Sequence, residues 1–327
     1  MKHLRTFALF AFATALSACA YIELPTRRVG GDAEYYVVTA KGKDTAASLA
    51  AEFLGDADKA WIIEDVNGIE TVSRGRKIAI PRGAFTLPPL EGEKYQTVPI
   101  LTYHRFTKGA YRDDRLEISA KDFERQLSYL KKNGYRIISM AQLRDHLNGR
   151  APIPRRAVVL TIDDGFRSAY TVAFPLLKKY NAPATIYVYS DFVGAGSALK
   201  WDHMKEMTAS GLVDIQPHSK THANFALKLD GETDKAYRKR IREELSVPAR
   251  LFKKRLGVNA HSFAYPYGAV NAEIAAMAEK AGYDTAVTVL RGANASYADP
   301  YLLKRRMVFG DHTMSDFQRF LKVEAGA

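Results

Sequence analysis

The chain has 327 residues, of which 47% are hydrophobic and 26% charged. That is too apolar for a wholly disordered chain, and the length predicts about two domains able to bury cores without a covalent staple. A single Cys excludes an intrachain disulfide framework and a Cys-rich zinc site, while a formal net charge of +12 leaves open a polyanion, a membrane face or no specific partner.

In residues 1–18, Lys2 and Arg5 precede an apolar run from Phe7 to Leu16. The run is well short of the ~20 residues a spanning helix needs, and it reads as a signal peptide. Leu16-Ser17-Ala18-Cys19 resembles the lipobox of bacterial lipoproteins. The resemblance implies that Cys19 is lipidated and becomes the mature N-terminus; an ordinary secretory signal with an incidental Cys is the alternative. Ala20, not Asp, follows Cys19, which by the same resemblance favours the outer membrane. The expected location is the cell envelope, lipid-anchored and facing the periplasm. Residues 19–34 hold Pro25, Gly30 and Gly31 and read as a tether.

Residues 35–82 form a compact block. Tyr35 to Val38 is a β-prone run, and Asp44 and Thr45 are N-cap types before a helix over Ala46 to Leu54. A second helix over Ala60 to Val66 ends at Asn67-Gly68, and Arg76 to Ile80 is a strand stopped by Pro81. This βααβ order, with YYVV at the entry, Asn67 closing the second helix and GRKIAIP at the exit, resembles a LysM module. The resemblance implies binding to N-acetylglucosamine-containing glycans; inserted Lys43 departs from the usual entry loop, and a small packing domain is the alternative.

Residues 83–97 hold Pro88-Pro89 and Gly92 and read as a linker. From residue 98 to 327, strands and helices alternate. Strands are expected at Val98 to Tyr103, Tyr135 to Ile138, Ala157 to Ile162, Ala184 to Tyr189 and Val213 to Gln216. Three more are expected at Ser262 to Tyr265, Thr285 to Val289 and Leu303 to Val308. Between them the pattern predicts helices capped by Ser119 and Ser139, and over Phe166 to Tyr180, Asp202 to Ser210, Glu232 to Leu256 and 271–281, with a break or kink at Pro248. Such alternation predicts a parallel α/β sheet, open or closed into a barrel. Residues 35–82 are electrically neutral, whereas residues 99–327 carry the +12. Arg238-Lys239-Arg240-Ile241-Arg242 reads as a solvated helix face.

Two segments carry chemistry. Thr161-Ile162-Asp163-Asp164-Gly165 puts adjacent carboxylates at the C-terminal end of an apolar strand, where charge is costly unless paired or metal-bound. His218-Ser219-Lys220-Thr221-His222 follows another strand, and two His at i and i+4 share one side of a helical turn. In a barrel both ends open on one mouth. Together they offer a carboxylate and two imidazoles to a divalent cation, leave a position for water, and spare one carboxylate as general base.

TIDDG, HSKTH and Phe263-Ala264-Tyr265-Pro266-Tyr267-Gly268, in that order, are similar to three motifs of the polysaccharide deacetylase (NodB-homology, carbohydrate esterase 4) family. Leu101-Thr102-Tyr103-His104, Gly282-Tyr283 and Leu303-Lys304-Arg305-Arg306 match its flanking elements. The resemblance implies a distorted (β/α) barrel that removes acetyl groups from N-acetylated sugars with zinc or a similar divalent metal. It implies that Asp163 is the general base, that Asp164, His218 and His222 are the metal ligands, and that the Tyr267 backbone N–H faces the oxyanion. Two positions depart from the pattern. Ala264 stands where many members carry an Arg that holds the base, so Arg305 or Arg306 is expected to supply that cation. No Leu-x-His follows Arg306, so His104 or His312 is expected to be the acid, with His104 closer to the His218/His222 pair. Pro266, Tyr267 and Trp201 are candidates for the sugar-binding groove, Trp201 with core packing as its alternative.

The expectation is therefore a lipid-anchored, metal-dependent N-deacetylase acting on peptidoglycan or exopolysaccharide, with no nucleic-acid partner. The alternatives are an O-acetyl (xylan-type) esterase and a non-catalytic glycan-binding scaffold.

Overall fold

A computed structural model of the chain describes residues 29–31, 35–82, 97–110, 114–296 and 298–322. The expected signal segment, Cys19, most of the expected tether and residues 83–96 of the expected linker lie outside the described residues. No described helix is long and apolar enough to cross a membrane. The chain divides into two units at Arg82.

In the small unit, Tyr35–Thr39 and Lys77–Pro81 pair antiparallel, Val37 opposite Ala79. Thr45 caps the Ala46–Leu54 helix through a reciprocal bond with Ser48, and Gly55 ends it in the left-handed conformation. Asn67, last in the Ala60–Asn67 helix, behaves as a piece of backbone: its amide donates to the Ile63 and Ala79 carbonyls and accepts from the Ala79 N–H, all at 2.8 Å. Leu49, Ala50, Ile63, Ile78 and Ile80 fill the core between helices and sheet. One expectation needs correction. Val29–Gly31, inside the presumed tether, forms a third strand against Tyr35–Thr39, because an exposed sheet edge offers unpaired backbone groups.

The large unit is built on parallel strands in the order Val213–Pro217, Ala184–Val188, Ala157–Ile162, Ile100–Tyr103 and Arg306–Met307, with Arg136–Ile138 against the first half of Ala157–Ile162. Side chains alternate between the two faces. Val158, Leu160 and Ile162 join the outer core with Phe123, Leu127, Phe174, Leu177 and Phe317 of the covering helices. Ala157 and Val159 join Ile100, Tyr187, Ala264, Val287 and Leu303 in an inner core. Thr161 continues the inner row, and Asp163 is next in step.

The sheet curls but does not close as a barrel would. Ser262–Ala264 and Thr285–Val287 form a separate parallel pair, joined to the rest by a bridge between Val287 and Leu303. Between Val213–Pro217 and Ser262–Ala264 a buried side chain replaces the ladder. The Gln216 oxygen accepts from the His261 and Ser262 N–H groups at 2.9 and 3.0 Å, and its nitrogen donates to the Asn259 carbonyl at 3.3 Å. The described strands thus form an α/β sheet that is not a closed barrel.

Other differences are local. Pro99 splits the first expected strand into Thr97–Val98 and Ile100–Tyr103. The last strand is only Arg306–Met307. Helix begins at Ala169 rather than Phe166, as a π turn leading into Phe174–Tyr180. The Asp234–Leu256 helix runs through Pro248 as one element, the ring buried in the core. The basic tract lies on that helix with Ile241 buried, and Arg238 and Arg240 pair with Glu273 and Glu232. The Met314–Leu321 helix and the short parallel pair Arg105–Thr107 with Glu117–Ser119 are not foreseen by the sequence pattern.

Candidate active site

The Asp163 backbone N–H donates to the Tyr103 carbonyl at 2.8 Å, which places its side chain at the top of the inner row. Asp164 follows with φ of 72° and turns off the strand toward the neighbouring loop. Gly165 completes the turn at φ 74°, and a Cβ there would stand 2.7 Å from Val188 Cγ1. The motif therefore needs its glycine twice, for conformation and for space.

Asp163 is almost wholly buried, and its partner is Arg305, which is 0% exposed. The guanidinium grips the carboxylate with both arms, at 2.8 and 2.7 Å, while its Nε donates to the Thr288 carbonyl at 2.7 Å and one arm reaches Thr161 Oγ1 at 3.2 Å. Burial pushes the Asp163 carboxyl up, but the Arg305 charge and His218 outweigh it and hold it below the usual carboxylate range. Arg305, not Arg306, occupies the place foreseen for the cation.

His218 and His222 come from a loop, not the helical turn the spacing suggested. Ser219 and His222 have φ of 79° and 65°, which no helical turn allows. The His218 N–H donates to the Val188 carbonyl at 2.9 Å, and its ring Nδ1 bonds the Ala264 carbonyl at 2.8 Å, leaving Nε2 to face Asp164. The Asp164 Oδ1 stands 3.4 Å from His218 Nε2 and 3.2 Å from His222 Nε2. Burial raises the Asp164 carboxyl, and hydrogen bonding to the two imidazoles pulls it far below its ordinary value. Left-handed backbone at Asp164 and His222 costs free energy that surrounding contacts must offset, a pattern concentrated at functional sites.

The donor set fits a divalent cation. Ligands held about 2.0–2.2 Å from a tetrahedral ion stand roughly 3.3–3.6 Å from one another, close to the two separations above. The three ligand atoms all lie within 4.8 Å of one another. The Nδ1 bond of His218 to a carbonyl is the outer-shell contact that orients a ligating imidazole. Three protein ligands leave room for water or substrate.

Sequence reasoning gave two residues beside the site no role. Glu244, on the Asp234–Leu256 helix and buried, accepts from the Lys220 and Thr221 N–H groups, both at 2.9 Å, and from the Thr221 hydroxyl at 2.7 Å. It braces the loop between the two histidines. Its signal was in the pattern: Glu244 falls among the buried positions Ile241, Leu245, Pro248 and Phe252 of that helix, where a carboxylate needs a reason. Tyr189 was also missed; its ring packs 5.1 Å from His222.

Tyr267 sits in the Pro266–Gly268 turn with φ of 60°, 63% exposed, its ring 4.7 Å from that of His222. Pro266, in the same turn, is buried. His104 lies within electrostatic reach of Asp163, Asp164 and His218; burial depresses its imidazole more than the two carboxylates raise it. His312 packs its ring between Phe309 and Phe320, and its charged neighbours are Asp311, Asp316, Arg115 and Arg291. Trp201 packs, partly buried, against the outer core. Its ring meets Phe252 edge-on with Arg255 over it, because its helix face turns into the outer core.

The family model for polysaccharide deacetylases matches residues 150–286, which include both charged motifs and the Pro266–Gly268 turn. YxkH of Bacillus subtilis strain 168, assigned to the polysaccharide deacetylases, is 30% identical over 233 residues, covering 71% of this chain and 79% of that protein. The poly-β-1,6-N-acetyl-D-glucosamine N-deacetylase of Escherichia coli K12 is 27% identical over 260 residues; the match covers 68% of this chain but only 38% of that enzyme's length. Among solved structures, IcaB of Ammonifex degensii superposes with a TM-score of 0.61 at 28% identity, covering 70% of this chain and 97% of that one. A buried carboxylate beside an Asp-His-His cluster, with 30% identity to YxkH over most of both chains, leads to one assignment: the chain belongs to the polysaccharide deacetylase family.

Proposed function

We propose that the protein is a metal-dependent N-deacetylase of N-acetylglucosamine-containing polysaccharide at the cell envelope. The observation that carries this reading is the division of labour between adjacent carboxylates. Asp163 is held ionised by Arg305, and Asp164 is aimed with His218 and His222 at one point.

Asp164, His218 and His222 would hold the cation, with zinc the ion best suited to an N/O donor set of this size. When bound, such an ion lowers the pKa of a coordinated water and polarises a carbonyl. Asp163 accepts the proton of the attacking water, since Arg305 holds it as a carboxylate beside the proposed cation site. The Tyr267 backbone N–H is offered to the oxygen of the acetyl group as charge develops there, and its exposed ring forms one wall against the sugar, on the turn that buried Pro266 shapes. His104 delivers a proton to the departing amine.

The identity of the E. coli relative supports β-1,6-linked N-acetylglucosamine as substrate class. The LysM-like order of residues 35–82 supports a second grip on N-acetylglucosamine chains, peptidoglycan included. The Leu16-Cys19 segment supports lipidation of Cys19 and an outer-membrane location facing the periplasm. The decisive experiment is acetate release from poly-β-1,6-N-acetylglucosamine and from peptidoglycan, set against acetylated xylan, before and after chelation and zinc return. Release from the first two, lost on chelation and in His222→Ala, is expected. Release from xylan alone makes the protein an O-acetyl esterase, and release from none makes it a glycan-binding scaffold. Radiolabelled fatty-acid incorporation, absent in Cys19→Ser, tests the anchor.

A further inference from the structure

A cavity of about 460 Å³ opens between the Asp234–Leu256 and Ala272–Lys280 helices, and none of its lining residues belongs to the proposed active site. Its base and its rim differ in chemistry. Buried Leu245 lies at the base, with Ala276 and Met277 adding apolar surface, while Arg238, Arg242 and Lys280 supply cations. Arg238 bridges the two helices by pairing with Glu273. Arg242 and Lys280 are exposed, and among the described residues they have no carboxylate partner.

The cations continue beyond the cavity. The Asp234–Leu256 helix carries nine Lys or Arg against three Asp or Glu, so its solvent side is strongly positive. Lys235, Arg238, Arg242 and Lys253 fall on one stripe of it, and all four are exposed. The opposite side enters the core through Ile241, Leu245 and Phe252. At 23 residues the helix is about 34 Å long, so the stripe is an extended, nearly straight row of charge.

The chemistry of cavity and stripe selects one kind of ligand. An inorganic anion leaves the apolar base without a partner, and a neutral glycan leaves the two cations unpaired. An acidic helix of a partner protein is about 10–12 Å across and needs a long groove, whereas a cavity of this volume suits a single small or chain-like ligand. A phospholipid has both parts: a phosphate for the guanidinium and ammonium groups, and an acyl chain for the apolar base. Its neighbours in a membrane present a plane of phosphates to the rest of the stripe.

We infer that this face docks the large unit on an anionic phospholipid surface, with one lipid's phosphate between Arg242 and Lys280 and part of its acyl chain in the cavity. The inference depends neither on lipidation of Cys19 nor on the deacetylase reading.

The test titrates the full chain by calorimetry with dihexanoyl phosphatidylglycerol below its micelle-forming concentration, with dihexanoyl phosphatidylcholine and with glycerol phosphate. Saturable binding of the first is expected, weakened by salt and tighter than that of the other two. Arg242→Gln and Lys280→Gln should each lower the affinity roughly fivefold, the effect of one basic residue near an anionic surface. Ala276→Gln, a change that an exposed helix position tolerates, should crowd the cavity and weaken the lipid without altering glycerol phosphate binding. Circular dichroism checks that each variant is folded, and acetate release should be unchanged in all three. Glycerol phosphate bound as tightly as the lipid would make this a simple anion site, and equal affinity for phosphatidylcholine an apolar cleft. Displacement of the lipid by a tighter-binding acidic amphipathic peptide would make it a protein-docking groove. Each of these overturns the assignment, as does an affinity untouched by all three variants or no saturable lipid binding at all.

Discussion

Arg305 and Asp163, 142 positions apart in the chain, meet as a two-armed ion pair at 2.7 and 2.8 Å with neither side chain more than 3% exposed. Arg305 immediately precedes the Arg306–Met307 strand, and Asp163 follows Ala157–Ile162, with Ile100–Tyr103 between them in the sheet. The pair therefore spans three strands across the inner face. Truncating one partner leaves the other charged and buried, so Arg305→Ala should destabilise the large unit by about 3–5 kcal/mol in denaturant titrations. The pH dependence has a definite sign. The folded Asp163 pKa is depressed, so the stability it contributes is complete above its unfolded value and is lost as pH falls through the folded one. Without the arginine that pKa rises, and the acid limb of the rate profile should move to higher pH in any variant that folds. An unmoved limb assigns the limb to another group.

Asp163→Asn preserves shape and the hydrogen-bonding capacity for Arg305 on one side while removing the base. Turnover should fall roughly 10²–10⁴-fold with metal content, measured on the purified variant, unchanged. Loss of metal along with activity would place Asp163 among the ligands.

Glu244 touches none of the proposed ligand atoms, yet it accepts three hydrogen bonds from the loop between His218 and His222. Glu244→Gln can accept with its oxygen but presents an amide where the second oxygen stood; Glu244→Ala accepts nothing. Metal affinity, followed by competition with a chelator, should fall roughly 10–100-fold in Glu244→Ala, as for other supports of ligating residues, and less in Glu244→Gln. A cobalt-substituted protein should show an altered visible spectrum in the same order. An unchanged spectrum with lowered thermal stability would make Glu244 a core residue only.

His104 is the candidate proton donor, and burial depresses its imidazole despite the two nearby carboxylates. His104→Ala should lower turnover of N-acetyl substrates far more than of activated acetyl esters, whose leaving groups need little protonation. Equal losses on both would show that His104 positions rather than protonates.

The sequence alone carried the element order, because apolar periodicity and capping residues act locally. Ala157–Ile162 emerged with the expected bounds, Ser119, Ser139 and Thr45 cap their helices, and the departures at Pro99 and Ala169 are local. It also carried the grouping of Asp163, Asp164, His218 and His222, since ionisable residues at the ends of apolar strands are costly to bury unless they pair or hold a metal. What it left open were relations across long separations and through single side chains. Only the packed sheet decides between Arg305 and Arg306, because alternation puts one inward and the other out. Local spacing suggested a helical turn at His218 to His222, and the tertiary bonds from Val188, Ala264 and Glu244 draw out a strained loop instead. The open sheet has the same cause: Gln216 satisfies the backbone groups that a ladder would have paired, and no periodicity in the sequence records the partners of a buried amide.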